Sequence, residues 1–584
     1  MLTHFQQHDV VEQDIVVAPK NKLKILFYHA GGHAGWLYPA ALQLKTYIDL
    51  FYPNVAEHLE WLIPIQQEIS NEELIKHIVK TNADVLCTSH YLWNHVFLTS
   101  QIKEIKSQLK STFKIIAGGP SIDVNNNKDF FEQYPNIDYA VYGAGEQAFA
   151  DIVNHLVTET PLIAFNTSNC AWKNTKTGKS IVADYKFVKM IETSPFTHNV
   201  ELFELMVADA KEKNCLLWLP YTLTRGCPYS CTFCDWNSGF GNKVSRRKNT
   251  YQQEIDLFQR LGVTNIYLSD ANVGQYDEDV KMVEYFAQKN LQENAGFHIG
   301  GNFSKLKKDN NLKIFHTMAN GKLINKTFNF SIQDTNAQVL SNIDRPDVGW
   351  DVHVSMANEL REHHKELVVK AQLIYGLPGQ TVASWQQTLQ QVAQENILPI
   401  VFVNEPLPAS PAMLDPEYQR NFQFEYVLSQ RIIHNDDTCS WYHSRVPKKS
   451  SSFNQSDLVH MNLHSAFFTS LTAINLVCIE NEVDPIPISL SVVENFLQCR
   501  NYQNLYQNLL DNWTKHNNFF YTTTFDGEFQ EIADNGLVNN FVESTAFINH
   551  IVELLPVQQK KQIAKLAINS KFYNFLRQWG KDSD

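Results

Sequence analysis

No run of about 18 apolar residues occurs in the 584-residue chain, which argues against an ordinary membrane-spanning helix. The most apolar late stretch, AFFTSLTAINLVCI (466–479), is broken by Thr, Ser and Asn and reads as a buried helix. The opening residues, MLTHFQQHDVVEQD, lack a basic start followed by an apolar core, so no signal peptide is expected. Positive charge is in deficit: the net charge of −13 speaks against wholesale binding to nucleic acid or an anionic membrane. Cysteine is sparse, unevenly spaced and odd in number, nine in all, which does not describe a disulfide framework. These deficits point to a cytoplasmic protein of a reducing compartment with neither a membrane nor a nucleic-acid partner. With 44% apolar and 19% charged residues, the chain can bury several cores, and its length suggests about three or four domains.

The chain alternates strand and helix signals twice. Residues 20–165 carry apolar strand candidates KLKILFYHA, ADVLCTS, FKIIAGG and DYAVYGAGE with helical spacing between them, which predicts an open parallel α/β sheet. In such a sheet ligands sit beyond the carboxyl ends of the strands, where the glycines of this region fall. A polar stretch, 166–215, reads as a hairpin or linker. From 216 to 425 six further βα units follow, too few for a closed eight-stranded barrel and suited to a partial (β/α)6 barrel. Strand signals fade beyond, so 426–584 is expected to be a mostly helical C-terminal domain.

The densest chemistry is RGCPYSCTFCDW (225–236), just after the first barrel strand. Cys227, Cys231 and Cys234 stand at C-x3-C-x2-C, and thiolates so close on one loop can converge on a soft metal centre. Structural zinc normally wants four ligands, and no CxxC or HxxxH partner stands nearby. Three ligands on a four-iron cluster leave one iron open to substrate.

This spacing, with the aromatic Phe233 before the last cysteine, resembles the radical S-adenosylmethionine (SAM) superfamily. The resemblance implies a 4Fe-4S cluster whose open iron chelates SAM, with Phe233 near the adenine. LSDANVG (268–274) resembles the segment that approaches the SAM methionine end, and implies a contact from Asp270 or Asn272 in place of the common Gly-Gly-Glu form. FSIQDTNAQVLSNIDR (330–345) resembles a fourth-strand segment whose Ser331 and Gln333 point at the cofactor. IYGLPGQT (374–381), with Gly376 and Pro378, resembles the segment that contacts adenine.

The first domain lacks G-x-G-x-x-G, having HAGGHAGW (29–36) after its first strand, so a dinucleotide site is a poor reading. TSHYLWN, IIAGGPS and DYAVYGAGEQAF instead resemble the Rossmann-like cobalamin-binding domain that precedes many radical SAM barrels. That resemblance implies cobalamin contacts from Gly31 and Gly32, from Ser89, Tyr91 and Trp93, from Gly118, Gly119 and Pro120, and from Gly143, Gly145 and Glu146. The alternative is that these glycines only turn strands into helices. Phe27 stands where related Asp-x-His-x-x-Gly motifs place the aspartate that orients a cobalt-ligating histidine, which speaks against His29 on cobalt. Trp93 would fill the lower face instead, or simply pack in the core.

The chain thus resembles cobalamin-dependent radical SAM methyltransferases. The resemblance implies transfer of a methyl group from SAM via methylcobalamin to a carbon of a natural-product, amino-acid or peptide substrate, with flavodoxin or ferredoxin as the reducing partner. Alternatives are a non-methylating radical rearrangement, ring contraction or cyclisation, the tryptophan-methylating type, and a non-catalytic corrinoid or metal carrier. Lys243, Arg246, Arg247 and Lys248 read as a solvated loop or a phosphate contact. Tyr442, His443 and Arg445 are candidate substrate contacts or plain interface residues, and Asn404 and Glu405 face the expected catalytic side.

Overall fold

The computed structural model describes residues 22–531 except 31–35, 125–126, 128, 175–178, 214–216, 237–241, 249, 325–326, 436–437, 481–484, 486–487, 489–499, 517–520 and 524–528. The first unit is a sheet of β1 (Leu23–Tyr28), β2 (Leu59–Trp61), β3 (Val85–Ser89), β4 (Lys114–Gly118), β5 (Tyr139–Val141), β6 (Cys170–Lys173) and β7 (Ser180–Val182). Their order is β2-β1-β3-β4-β5-β6-β7; the first five run parallel and the last two antiparallel. Leu26, Tyr28, Leu86, Ile115 and Ala117 pack on one face and Ile25, Phe27, Val85, Cys87 and Ile116 on the other. Burial on both faces explains why these strands read as continuous apolar runs. The order in which strands are added reverses between β1 and β3, so the crevice at their carboxyl ends is the topological switch point.

The segment expected as a linker is more structured than that. β6 and β7 extend the sheet, and the helix Val200–Glu212 buries Leu202, Phe203, Met206 and Val207 in the core of the second unit. That unit comprises β8 (Trp218–Tyr221), the short antiparallel pair β9 (Thr224–Arg225) and β10 (Ser245–Arg246), then β11 (Asn265–Val273), β12 (His298–Phe303), β13 (Thr327–Gln333), β14 (Val368–Tyr375) and β15 (Leu398–Val403). β8, β11 and β12 form one parallel sheet and β13, β14 and β15 another, with β12 beside β13, giving the expected six-stranded partial barrel. Along these strands one side is apolar: Ile266, Leu268, Ala371 and Leu373 join the core beneath the helices. The opposite side is polar, with Asn302 donating to Tyr267 Oη at 3.4 Å and Ser331 to Gln372 Oε1 at 2.6 Å.

The first unit is tied to the second through the chain after β1. Trp36 makes a parallel bridge to Trp218, Leu37 N–H donates to the Trp218 carbonyl at 2.7 Å, and the two indoles stack with centroids 6.0 Å apart.

The C-terminal region opens with a long antiparallel hairpin, β16 (Glu425–Asn435) and β17 (Thr438–Lys449), where the fading strand signal gave no such expectation. β17 runs against the helix His95–Lys106 of the first unit. Helices then dominate. Gln455–Glu480 is buried on nearly every side, and it is locked by Trp385 Nε1, which donates to the Met461 carbonyl and Ser465 Oγ, both at 3.0 Å. This helix contains the 466–479 stretch, buried as expected over Ala466–Asn475 and at Cys478, with Ile479 exposed at its end. Among the described residues no helix is long and apolar enough to cross a membrane.

Candidate functional site

The cysteine loop leaves β9 through Gly226, whose φ of +86° and closeness to the Lys243 carbonyl (2.1 Å from an added Cβ) admit only glycine. Farther along, Thr232 N–H donates to the Ile343 carbonyl at 3.0 Å, and the Thr232 carbonyl accepts from Ala412 N at 2.8 Å. Phe233 packs with Val339, Leu340, Ile343 and Leu377, so it shares one apolar cluster with the segment around Gly376 and Pro378. The loop is therefore held by distant parts of the barrel.

Cys227 and Cys231 are buried and Cys234 is half-buried. Each thiol has a donor close by. Asn272 Nδ2 lies 3.2 Å and Lys305 Nζ 4.0 Å from Cys227 Sγ; Lys305 also reaches Asn272 Oδ1 at 3.4 Å and covers the Tyr229 ring at 4.6 Å. Buried Arg345 lies beside Cys231; burial pushes its pKa down, opposed by Cys231 and Asp347. Trp236 N–H meets Cys234 Sγ at 3.5 Å, and burial pushes that thiol up to about 11. Among the described residues no group of three His, Cys, Asp or Glu side chains is gathered to hold a single metal ion. Thiolates on separate irons of a cluster stand wider apart than ligands of one ion. Two cations and an amide aimed at sulfur suit an anionic iron–sulfur group, and iron keeps bound thiols deprotonated.

The remaining SAM candidates divide. Asn272 reaches the cysteine loop, whereas Asp270 of β11 accepts the backbone N–H groups of Leu223 and Thr224 at 2.8 and 2.9 Å and pins the β8–β9 junction to β11. Burial raises its carboxyl to about 6. Gln333 sits at a register shift in β13 with φ +70°, and its Oε1 has no partner among the described residues. A strained, buried, unsatisfied side chain at a strand end is a usual mark of a ligand site. Ser331 is instead bonded to Gln372. Gly376 (φ +80°) receives the Asn404 amide on its carbonyl at 2.9 Å, and the Pro378 carbonyl accepts from Asn342 at 3.0 Å. Glu405 accepts from Ser444 of the hairpin at 3.0 Å.

In the first unit the candidates gather at the carboxyl ends of β1, β3, β4 and β5. Asn94 spans the switch point, donating to the Ala30 carbonyl at 2.6 Å and the Ser89 carbonyl at 3.0 Å, while its Oδ1 accepts from Tyr91 N at 2.7 Å. Tyr91 and Trp93 stack face to face at 4.7 Å, and Trp93 Nε1 is buried without a partner among the described residues. Gly119, at φ +108°, lets β4 turn against the backbone of His90, whose carbonyl would lie 2.5 Å from an added Cβ. Pro120 is exposed beside it and Gly118 accepts from His90 N. Gly143 lies under the Tyr185 ring and Gly145 against Val141. Buried His29 stacks on Tyr38 at 4.9 Å, and neither ring nitrogen has a partner among the described residues; burial lowers its pKa to about 3. A glycine-lined crevice with unpartnered indole and imidazole nitrogens fits a large planar, amide-fringed cofactor.

Several expectations change. Glu146 is engaged by Arg225 rather than open to a ligand. Arg246 pairs with Asp279 at 2.6 Å and Arg247 with Glu254 at 2.7 Å, so neither belongs to a solvated loop or a free phosphate site; Lys243 and Lys248 are exposed. Gly31, Gly32 and the side chains of Tyr442 and His443 lie outside the described residues, and Arg445 is exposed. Lys305 and Arg345 were not foreseen as site residues. Arg345 closes the quoted 330–345 segment, but no local spacing marks Lys305, which reaches the cysteines only in three dimensions.

Residues 221–392 match the family model of the radical SAM superfamily, and residues 59–153 match the B12 binding domain. The chain is 27% identical over 347 residues to a cobalamin-dependent radical SAM methyltransferase, TokK, of Streptomyces tokunonensis, covering 59% of this chain and 49% of that one. It is 26% identical, with the same coverages, to a 2-(S-pantetheinyl)-carbapenam-3-carboxylate methyltransferase of Streptantibioticus cattleyicolor. The chain thus spans about half the length of these curated relatives. The solved structure of the cobalamin-dependent SAM radical enzyme OxsB, with aqua-cobalamin and SAM, shares the fold: TM-score 0.56 at 13% identity, covering 96% of this chain and 84% of that one.

Proposed function

We propose that this chain, which joins a B12-binding domain to a radical SAM domain and so takes a 4Fe-4S cluster, SAM and cobalamin, is a methyltransferase acting on carbon. The observation that carries the reading is the pair of buried thiols, Cys227 and Cys231, met by Asn272, Lys305 and Arg345. When bound, the cluster and SAM supply a radical that removes hydrogen from an unactivated carbon, and cobalamin supplies the methyl group.

In this reading Cys227, Cys231 and Cys234 hold the cluster, and Asn272 with Lys305 orients the first thiolate and the polar end of SAM. Phe233 and the turn at Gly376 and Pro378 would cover the adenine, and Gln333 would meet SAM with the side-chain oxygen that has no partner among the described residues. The strand ends at Ser89–Trp93, Gly118–Gly119 and Gly143–Gly145 cradle cobalamin. Tyr267, Asn302, Ser331 and Gln372 give the barrel a polar inner side suited to a polar small molecule, and similarity to a 2-(S-pantetheinyl)-carbapenam-3-carboxylate methyltransferase supports a natural product as the substrate.

The test is anaerobic purification with cobalamin supplied, reconstitution with iron and sulfide, and assay of iron, sulfide and cobalt per chain beside a Cys227→Ala, Cys231→Ala, Cys234→Ala triple variant. About four irons and one cobalt, with iron lost in the variant, is the expected result. Turnover should then release both 5′-deoxyadenosine and S-adenosylhomocysteine. Iron without cobalt would remove methyl transfer while keeping radical SAM chemistry.

A further inference from the structure

Glu146 and Arg225 come from the two different domains, and their pairing places the clearest mechanical link between them next to the candidate chemistry. Glu146 opens the helix Glu146–Thr158, directly after the Gly143–Gly145 turn. Arg225 ends β9, two residues before Cys227. The guanidinium meets the carboxylate in a two-pronged fork: Nη1 lies 3.2 Å from Oε2 while Nη2 bonds Oε1. Nη1 also donates to the Val188 carbonyl at 3.2 Å, so the chain connecting the domains is gripped as well. Both side chains are well buried, at 16% and 5% exposure, so solvent does little to screen the pair.

Neither end of this link has slack. On one side Gly226 is wedged against the Lys243 carbonyl at a φ only glycine tolerates. On the other, Gly143 and Gly145 are packed against Tyr185 and Val141 so tightly that an added Cβ would lie 2.6 and 2.8 Å from them. A planar fork fixes angle as well as distance, which a single lysine contact does not. Near it Met190 N–H donates to Ser245 Oγ at 2.8 Å and Lys248 N–H to Glu192 Oε2 at 3.1 Å, which tie the connecting chain to β10 and the residues just after it.

We propose that Glu146 and Arg225 form a positioning clamp that sets the separation and tilt between the cobalamin crevice and the cluster loop. The clamp rests on the two-cofactor methyltransferase reading above. Methyl transfer after hydrogen removal needs both reactive centres aimed at one substrate carbon, and a misplacement of about 1 Å is costly to such a step. Arg225 and Glu146 are positioning residues that act through the elements they hold.

The experiment compares reconstituted wild type with Arg225→Lys, which replaces the planar fork by a single ammonium, and Glu146→Gln, which is isosteric but uncharged. Iron and cobalt are counted first. The magnetic dipolar coupling between cob(II)alamin and the reduced cluster is then read by electron paramagnetic resonance, which needs no substrate. The expected result is full loading throughout, a sharp coupling in wild type, and a broadened, weaker one in both variants. Once substrate is in hand, the variants should also release 5′-deoxyadenosine in excess over methylated product. Fully loaded variants with the wild-type coupling overturn the clamp and leave the methyltransferase reading standing. Variants that lose cobalt or iron assign the pair to cofactor retention and likewise overturn it. A wild type that takes up no cobalt overturns the underlying reading itself.

Discussion

Asn272 Nδ2 stands 3.2 Å from Cys227 Sγ, and its other amide atom receives Lys305 at 3.4 Å, so one side chain couples a cation to a thiol. Replacing Asn272 with Leu removes both bonds at nearly constant volume. Hydrogen bonds to cluster sulfur favour the reduced, more negative state. The variant's cluster should be harder to reduce by on the order of tens of millivolts, read by a redox titration of its spectrum. An unchanged potential would show that the amide serves packing alone.

Gly119 and Gly296 offer a matched pair. Both have positive φ, but an added Cβ at Gly119 would meet His90 backbone atoms at 2.5 and 2.8 Å, while at Gly296 nothing lies within 4 Å. Gly296→Ala should cost about 1–2 kcal/mol, the strain of the left-handed region alone. Gly119→Ala should cost clearly more, since backbone cannot retreat as a side chain can, and should lower bound cobalt. Thermal unfolding and cobalt content of the two variants decide this.

Trp385 is fully buried between the barrel and the Gln455–Glu480 helix. Trp385→Ala should destabilise by about 3–5 kcal/mol. Trp385→Phe keeps most of the packing and loses the bonds to Met461 and Ser465, so it should cost about 1–3 kcal/mol. Chemical denaturation separates the two effects; equal losses would mean that the hydrogen bonds, lost in both variants, carry nearly all of the effect and the packing little.

His29 predicts a pH dependence. Burial holds its pKa near 3, below the 6.5 of an open imidazole, so the fold favours the neutral ring. The unfolded chain binds the proton more readily, and stability is therefore present above about pH 6.5 and drains away as pH falls toward 3. His29→Phe preserves the stack on Tyr38 and removes two nitrogens that lack partners among the described residues. The apoprotein should hold or gain stability by about 1 kcal/mol at neutral pH, with a flatter acid limb in unfolding experiments. A fall in cobalt uptake by the same variant would mark His29 as a cofactor contact.

Much of the centre is legible in the residues themselves because its chemistry is local. Three thiols on one loop need only three cysteines within eight positions, and β1, β3 and β4 announce themselves as apolar runs because both their faces are covered. What the sequence hides is convergence. Lys305 follows β12, far along the chain from Cys227, and nothing in its neighbours tells it from Lys307 or Lys308. Glu146 is a cofactor candidate through the resemblance of DYAVYGAGEQAF to a cobalamin-binding domain; in three dimensions Arg225, 79 residues away, engages it. The β16–β17 hairpin was missed because its long runs mix Arg, His, Ser and Lys with the apolar residues and so blur the two-residue alternation.

The Trp36–Trp218 bridge has a further consequence. A barrel of six strands does not close, so its first strand, β8, presents an outer row of peptide groups that another chain could pair with. Trp36 and Leu37 occupy part of that row, and the stacked indoles shield it. A fragment beginning at 216 would bare it beside an apolar core, and such a fragment would be prone to stick to itself. The N-terminal unit thus guards its neighbour against self-association simply by being joined to it.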